Sequence, residues 1–155
     1  MSKISILMLT HNAPEHVKLS IHSVREHTKD VGYELVVVDN ASEAETVSLV
    51  TNLHAEGLID TLKLLDYNSL FAEGNNIAAE LASADSSHFL LLNSDIEVKN
   101  PNWLSHLLAV HKRGMTSYGL VGNPRRGCGN DSGQLPLRVD GFCLLIDRDL
   151  YEKAP

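Results

Sequence analysis

Over residues 1–114, apolar runs alternate with helix-periodic stretches, and this alternation narrows the possible folds more than any other feature of the chain. Ile4 to Thr10 reads as a strand, and Ala13-Pro14 then opens a helix with Val17, Ile21 and Val24 on one face, the proline suiting a first turn. Glu34 to Asp39 is a second, Val-rich strand. Ser42-x-x-Glu45 has the form of a capping box, with Val47, Val50 and Leu53 recurring at helical spacing behind it. Thr61 to Leu65 predicts a third strand and Ala72 to Ala82 a third helix. His88 to Leu92 is a fourth strand, apolar enough to be covered on both faces. After it, Asn100-Pro101 predicts a cap and first-turn proline, and Leu104, Leu107 and Leu108 the buried stripe of a helix ending near Gly114. Strict alternation implies right-handed crossovers and a mainly parallel sheet with helices on both faces, a three-layer α/β domain.

Beyond residue 114 the pattern breaks. Gly119 to Gly122 is short, residues 125–137 (RRGCGNDSGQLPL) carry loop composition, and Val139 to Ile146 is one more strand. A chain of 155 residues fits a single domain and can bury roughly two-thirds of its unfolded surface. No stretch approaches the length of a membrane span, and Met1-Ser2-Lys3-Ile4 enters a strand without a leader pattern, so a cytoplasmic location is expected. The formal net charge of -7, with basic residues scattered apart from Arg125-Arg126, argues against nucleic acid or an anionic membrane as partner. Cys128 and Cys143 make neither a disulfide framework nor a metal knuckle, and Cys143 reads as buried filler. Of the eight histidines, His16, His22, His27, His54, His106 and His111 fall on helices or their ends without a His-x-x-x-His pair, so they are expected at the surface or at element boundaries.

The strands end in polar groups: Thr10-His11-Asn12, Asp39-Asn40-Ala41-Ser42, Asp66-Tyr67-Asn68 and Asn93-Ser94-Asp95. Parallel strands would present these along one edge, where α/β sheets bind ligands. Each alone is also a common turn or cap residue. No phosphate-cradling glycine loop follows the first strand, since LTHNAPEH has neither Gly-x-Gly-x-x-Gly nor a Walker pattern. A nucleotide diphosphate could instead be held through a divalent cation on a carboxylate, and Asp95 is placed for that.

ISILMLTHN, ELVVVDNAS, NSLFAEGNN and LLLNSDIEV, in this order and at these separations, resemble the nucleotide-sugar-binding half of glycosyltransferase family 2, which has the GT-A fold. VDGFCLLIDRDLYEK also resembles the family's later strand, so the likeness covers about residues 3–151. It implies a domain spanning residues 1–155 that binds a nucleotide diphospho-sugar with Mg²⁺ or Mn²⁺ and transfers the sugar to a glycan or other hydroxyl acceptor. By the same resemblance Thr10 and Asn12 line the nucleoside pocket, and Asp39 hydrogen-bonds base or ribose. Asn68, Phe71 and Asn76 lie on the segment closing over the nucleotide, Asn93 and Ser94 approach ribose and diphosphate, and Asp95 ligates the metal. The alternative of a different class is a catalytically silent nucleotide-binding module. A receiver-like signalling domain would need paired acids after the first strand and a late lysine, which this chain does not show.

Several positions depart from the family pattern. His11 stands where Tyr is usual, and Asn93 removes the first acid of an Asp-x-Asp motif. Leu70 replaces a glycine, so the turn there is expected to change, because leucine tolerates positive φ poorly. Inverting relatives carry an acidic general base beyond the strand resembling Val139 to Ile146, so the domain is expected to be C-terminally incomplete relative to the family. Asp140, Asp147, Asp149 and Glu152 are the acids near that strand, and Asp147 and Asp149 are expected to flank its end or cap a short helix.

Overall fold

The computed structural model describes residues 3–112, 120–124 and 139–153. Strands β1 (Lys3–Thr10), β2 (Tyr33–Asn40), β3 (Thr61–Leu65) and β4 (Ser86–Leu92) alternate with helices α1 (Pro14–His27), α2 (Ala44–Ala55) and α3 (Leu70–Leu81). They are followed by α4 (Trp103–Lys112), β5 (Leu120–Pro124), β6 (Val139–Asp147) and the single turn α5 (Arg148–Tyr151). The stretch at 125–137 expected to be a loop lies outside the described residues.

The six strands form one sheet in the order β3-β2-β1-β4-β6-β5. β1 pairs in parallel with both β2 and β4, β2 with β3, and β6 runs antiparallel to β4 and β5. The mainly parallel α/β architecture follows the sequence reading, and the departure after residue 114 takes the form of this reversed strand. The chain winds outward from β1 through β2 to β3, then returns to place β4 on the other side of β1. The carboxyl ends of β1 and β4 therefore bound a topological switch point, the crevice where sheets of this kind bind ligands.

Period-2 alternation sorts the strand side chains into two cores. Ile4, Ile6 and Met8 of β1, Leu35 and Val37 of β2, Leu90 and Leu92 of β4 and Leu145 of β6 face α1, α2 and α4. Leu7, Val36, Val38, Phe89, Leu91 and Ile146 face α3 and the Tyr151 end of α5. The α1 stripe of Val17, Ile21 and Val24 is buried as its spacing predicts. On α4, Leu104 and Leu108 are buried and Leu107 is half-buried against the same core. Cys143 packs half-buried beside that core, and burial pushes its thiol up to about 11, so it stays protonated and inert.

Two local expectations change. Helix α3 starts at Leu70 rather than Ala72, and α2 begins at Ala44 behind Glu43 with no side-chain capping bond, so Ser42 is not the cap of a capping box. Ser42 is taken up instead by partners from other strand ends.

Candidate functional site

The carboxyl edge of the sheet is built around Asp39. This residue is 0% exposed, and its carboxylate accepts hydrogen bonds from Thr10 Oγ1 (2.7 Å), Ser42 N (2.9 Å) and Ser42 Oγ (2.6 Å). A buried carboxylate needs such donors, because an unpaired charge away from water costs several kcal/mol. Ser42 Oγ in turn accepts from Asn12 N at 2.8 Å, and Asn12 Oδ1 accepts from Glu43 N at 2.8 Å. The connections after β1 and β2 are thus tied into one unit. His11 Nδ1 donates to Asn40 O at 2.7 Å, which fixes the ring beside the same edge.

Asn40 extends the unit to the third connection. Its Oδ1 accepts from Ser69 Oγ (2.5 Å) and Ser69 N (3.3 Å), at the entry to α3. Asn68 Oδ1 accepts from Leu70 N at 2.9 Å, closing the turn. Leu70 holds φ 60° and is 72% exposed, so the turn keeps its left-handed residue despite the missing glycine. Gly74 allows α3 to lie close to β1: a Cβ there would stand 2.8 Å from Ser69 Oγ and 2.9 Å from Leu9 Cδ1. Phe71, exposed, reaches across to β6, where a Cβ on Gly141 would lie 3.3 Å from its Cζ.

Backbone strain concentrates at this edge. The non-glycine residues with positive φ among those described are Asn12 (57°), Ala13 (53°), Ala41 (53°) and Leu70 (60°), all in the connections after β1, β2 and β3. Left-handed conformations cost L-residues roughly 1–2 kcal/mol each and persist where the surroundings over-determine them, which points to function.

The fourth strand end is a turn, with Ile96 N bonded to Asn93 O at 3.3 Å, and Asn93 N anchored to Phe142 O of β6 at 2.9 Å. Asn93 and Ser94 are half-buried there, and Asp95 is exposed at the tip. Thr10, Asn12 and Asp39 thus form one hydrogen-bonded group, Asn68 and Phe71 stand at the entry to α3, and Asn93, Ser94 and Asp95 line the β4 turn. Asn76 lies apart: midway along α3, its Oδ1 accepts from Tyr151 OH at 2.8 Å, beside a pocket of about 480 Å³ that also touches Arg148 and Glu152. Asn40, Ser42 and Gly74 are the residues of this edge that the sequence reading left without a role there. Their signal was their place inside the same strand-end motifs.

The acids near the last strand divide between the two ends of the sheet: Asp140, next to the start of β6, lies at the end that carries the β4 turn, and the others fall elsewhere. Because β6 is antiparallel, Asp147 pairs with His88 near the amino end of β4, and Asp149 and Glu152 follow it. Asp147 occupies the position before α5 without making a side-chain cap bond. Its Oδ1 lies 3.3 Å from His88 Nε2 and its Oδ2 3.2 Å from His111 Nε2. His88 and His111 are both largely buried; His111 stands at the last turn of α4, an element boundary as expected, but faces inward rather than the surface.

A mainly parallel sheet with strained connections along its carboxyl edge and an exposed carboxylate at the tip of β4 defines a domain of GT-A type fold. Residues 5–154 match the model of Glycosyl transferase family 2, and the chain belongs to that family. It is similar to an uncharacterized protein, y4gI, of Sinorhizobium fredii (strain NBRC 101917 / NGR234), with 28% identity over 115 residues, 71% of this chain and 12% of that protein. Its fold is that of the mannosyltransferase PcManGT from Pyrobaculum calidifontis, solved in complex with GDP-Man and Mn²⁺: TM-score 0.72 and 19% identity, covering 97% of this chain and 46% of the other. S. aureus TarS 1-349 matches with TM-score 0.70 and 19% identity, covering 97% of this chain and 48% of the other. In complex with UDP-GlcNAc that protein matches with TM-score 0.61 and 20% identity, over 84% of this chain and 37% of the other. The chain spans less than half the length of these solved relatives.

Proposed function

We propose that this domain binds a nucleotide diphospho-sugar at the carboxyl edge of its sheet and takes part in transferring the sugar to a glycan or other hydroxyl acceptor. The observation that carries this reading is the gathering of four left-handed non-glycine residues and the Thr10–Asp39–Ser42–Asn12 network along the carboxyl edge of the sheet, the edge whose β4 turn carries Asp95. Thr10 and Asn12 would shape the nucleoside pocket, with Asp39 as the buried anchor that holds both and accepts from base or ribose. Asn68 and Phe71 would close over the nucleotide from the α3 entry, with Asn76 further along that segment. Asn93 and Ser94 would meet ribose and diphosphate. A cytoplasmic location belongs to the same proposal; among the described residues no helix is long and apolar enough to cross a membrane.

Asp95 suits Mg²⁺ or Mn²⁺. Such ions keep several waters and are commonly held by one or two carboxylates plus substrate phosphates, so a single exposed strand-tip carboxylate with a neighbouring amide is an adequate protein share. When bound, the ion would neutralise charge on the departing diphosphate. The chain's own contribution is placement: β4 and the Asn93–Phe142 hydrogen bond hold the turn rigid, and a metal ligand needs rigid support.

The PcManGT complex with GDP-Man and Mn²⁺ and the TarS complex with UDP-GlcNAc support a nucleotide-sugar donor of this kind. Calorimetry with a panel of nucleoside diphosphates, with and without Mn²⁺, tests the reading. Asp95→Ala should remove most of the metal-dependent affinity and leave the melting temperature unchanged, because the side chain is exposed. Nucleotide binding by Asp95→Ala as tight as the parent's in Mn²⁺ would sink the assignment.

One observation favours a second reading, a binding module without turnover. Asp147, Asp149 and Glu152 sit at the amino end of the sheet, out of reach of an acceptor at the other edge, which leaves Asp140 as the one of the four acids on the acceptor's side, and a general base must come within hydrogen-bond distance of the proton it removes. Donor hydrolysis or sugar transfer in an assay with the same nucleotide sugars separates the two.

A further inference from the structure

The cluster at the amino end of the sheet is built from positions that sequence patterning would assign to the core. His88 continues the Leu90 and Leu92 face of β4, Asp147 continues the Leu145 face of β6, and His111 continues the Leu104 and Leu108 stripe of α4. Three polar side chains thus occupy the layer where three apolar ones would close the core. Their ligating atoms all lie within 4.8 Å of one another, and the histidine rings meet edge to face at 4.9 Å between centroids.

Protonation decides what such a group can do. Ser87 Oγ stands 2.7 Å from His88 Nδ1 and 3.3 Å from Lys3 O, which leaves Nε2 as the ring nitrogen turned toward Asp147. The neutral tautomer with its proton on Nδ1 turns the Nε2 lone pair toward Asp147 Oδ1, 3.3 Å away. His111 Nε2 is buried, stands 3.2 Å from Asp147 Oδ2, and makes no hydrogen bond among the described residues. In that tautomer a cation among these atoms would satisfy both ring nitrogens and the carboxylate together.

We propose that His88, His111 and Asp147 form a site for a four-coordinate divalent transition-metal ion, Zn²⁺ by its donor set, which pins α4 to the antiparallel corner of the sheet. Ligands about 2.0–2.1 Å from zinc at tetrahedral angles stand roughly 3.3 Å apart, the separation both histidines already keep from the Asp147 carboxylate. Two imidazoles and one carboxylate leave a fourth position for water. Asp147 is 41% exposed and borders a pocket of about 440 Å³ shared with Ser86, Ser87 and Arg148, which gives solvent and the ion an approach. The Ser87 bond is the outer support that zinc-bound histidines characteristically have. This site lies at the opposite end of β4 from Asp95 and does not depend on the nucleotide reading.

Chelator-stripped, tag-free protein titrated with Zn²⁺ against a chromophoric competitor should bind one tight equivalent without nucleotide. Co²⁺ in its place should give the intense visible absorption of a four-coordinate ion. Asp95→Ala should keep this equivalent. His111→Gln and Asp147→Asn should lose it, and Ser87→Ala should weaken it by about ten- to a hundredfold. Asp147→Asn replaces a half-exposed group and keeps the fold even if the buried His111→Gln does not. Absence of a tight equivalent in the parent, the weak spectrum of six-coordinate Co²⁺, or an equivalent that survives Asp147→Asn would each overturn the site and leave the cluster as an ion pair of protonated histidines.

Discussion

Asp39 shows how one side chain can serve both a fold and a site. Its three accepted hydrogen bonds fix the backbone after β1 and after β2, and those two connections present Thr10 and Asn12. Removing a charge-assisted bond costs about 1.5–3 kcal/mol, so Asp39→Ala should lower the melting temperature by several degrees. If the nucleoside reading holds, it should also weaken nucleoside diphosphate binding roughly ten- to a hundredfold, with or without metal. Thermal unfolding and calorimetry on the same sample check both, and unchanged affinity in the folded fraction would leave Asp39 a turn-forming role alone. That acids and amides gather at strand ends was readable from the sequence, because apolar runs stop on them. Ser42 was not readable: its spacing to Glu45 suits a cap, but Asp39 and Asn12 compete for the hydroxyl and win, and their nearness is a product of sheet pairing.

The entry to α3 is the element where local chemistry and overall geometry conflict most. Asn40, Ser69 and Asn68 hold Leu70 in a left-handed conformation, Gly74 lets the helix settle on Leu9, and Phe71 lies over Gly141. Leu70→Gly should therefore stabilise the protein by about 1 kcal/mol, since the strain relieved exceeds the entropy glycine adds to the unfolded chain and the exposed leucine packs on little. A melting temperature raised by roughly 2–4 °C is the expected reading, and a fall would show that the leucine side chain itself holds the turn. Strand β3 was legible to the residue, as Thr61–Leu65. The reversal of β6 was not, because an apolar run carries no direction. His88 was hidden for a related reason: alternation with Leu90 and Leu92 marks a position as inward, but a partner such as His111, far along the chain on α4, has no local signature.

At the scale of the whole molecule, the sheet has two unlike ends. At the amino end the Glu34 carboxylate accepts from Ser5 Oγ (2.5 Å), Ser83 N (2.7 Å) and Ser83 Oγ (2.6 Å), with Lys3 Nζ at 3.4 Å. Burial pushes this carboxyl up, but the Ser5 and Ser83 bonds and the Lys3 charge together outweigh it and hold Glu34 below the usual carboxylate range. A depressed folded value contributes stability that is present above the unfolded value and lost as pH falls through the folded one. Glu34→Gln should thus melt earlier than the parent at neutral pH, and the gap should narrow once acidification protonates Glu34 in the folded state. Melting curves across that range check it, and a gap independent of pH would rule it out. The three-layer arrangement was legible from alternation alone, whereas the strand order 3-2-1-4-6-5 depends on long-range pairing that no window of sequence encodes. The antiparallel pairing of Pro124 with Val139 has a further consequence. Both strand termini meet at the edge that carries the Asp95 turn, clasped by the ladder itself. Doubling the tether between such clasped ends costs only about 0.6 kcal/mol in closure entropy, so relatives can lengthen, shorten or rewrite this stretch beside the donor edge while the sheet that carries it stays the same.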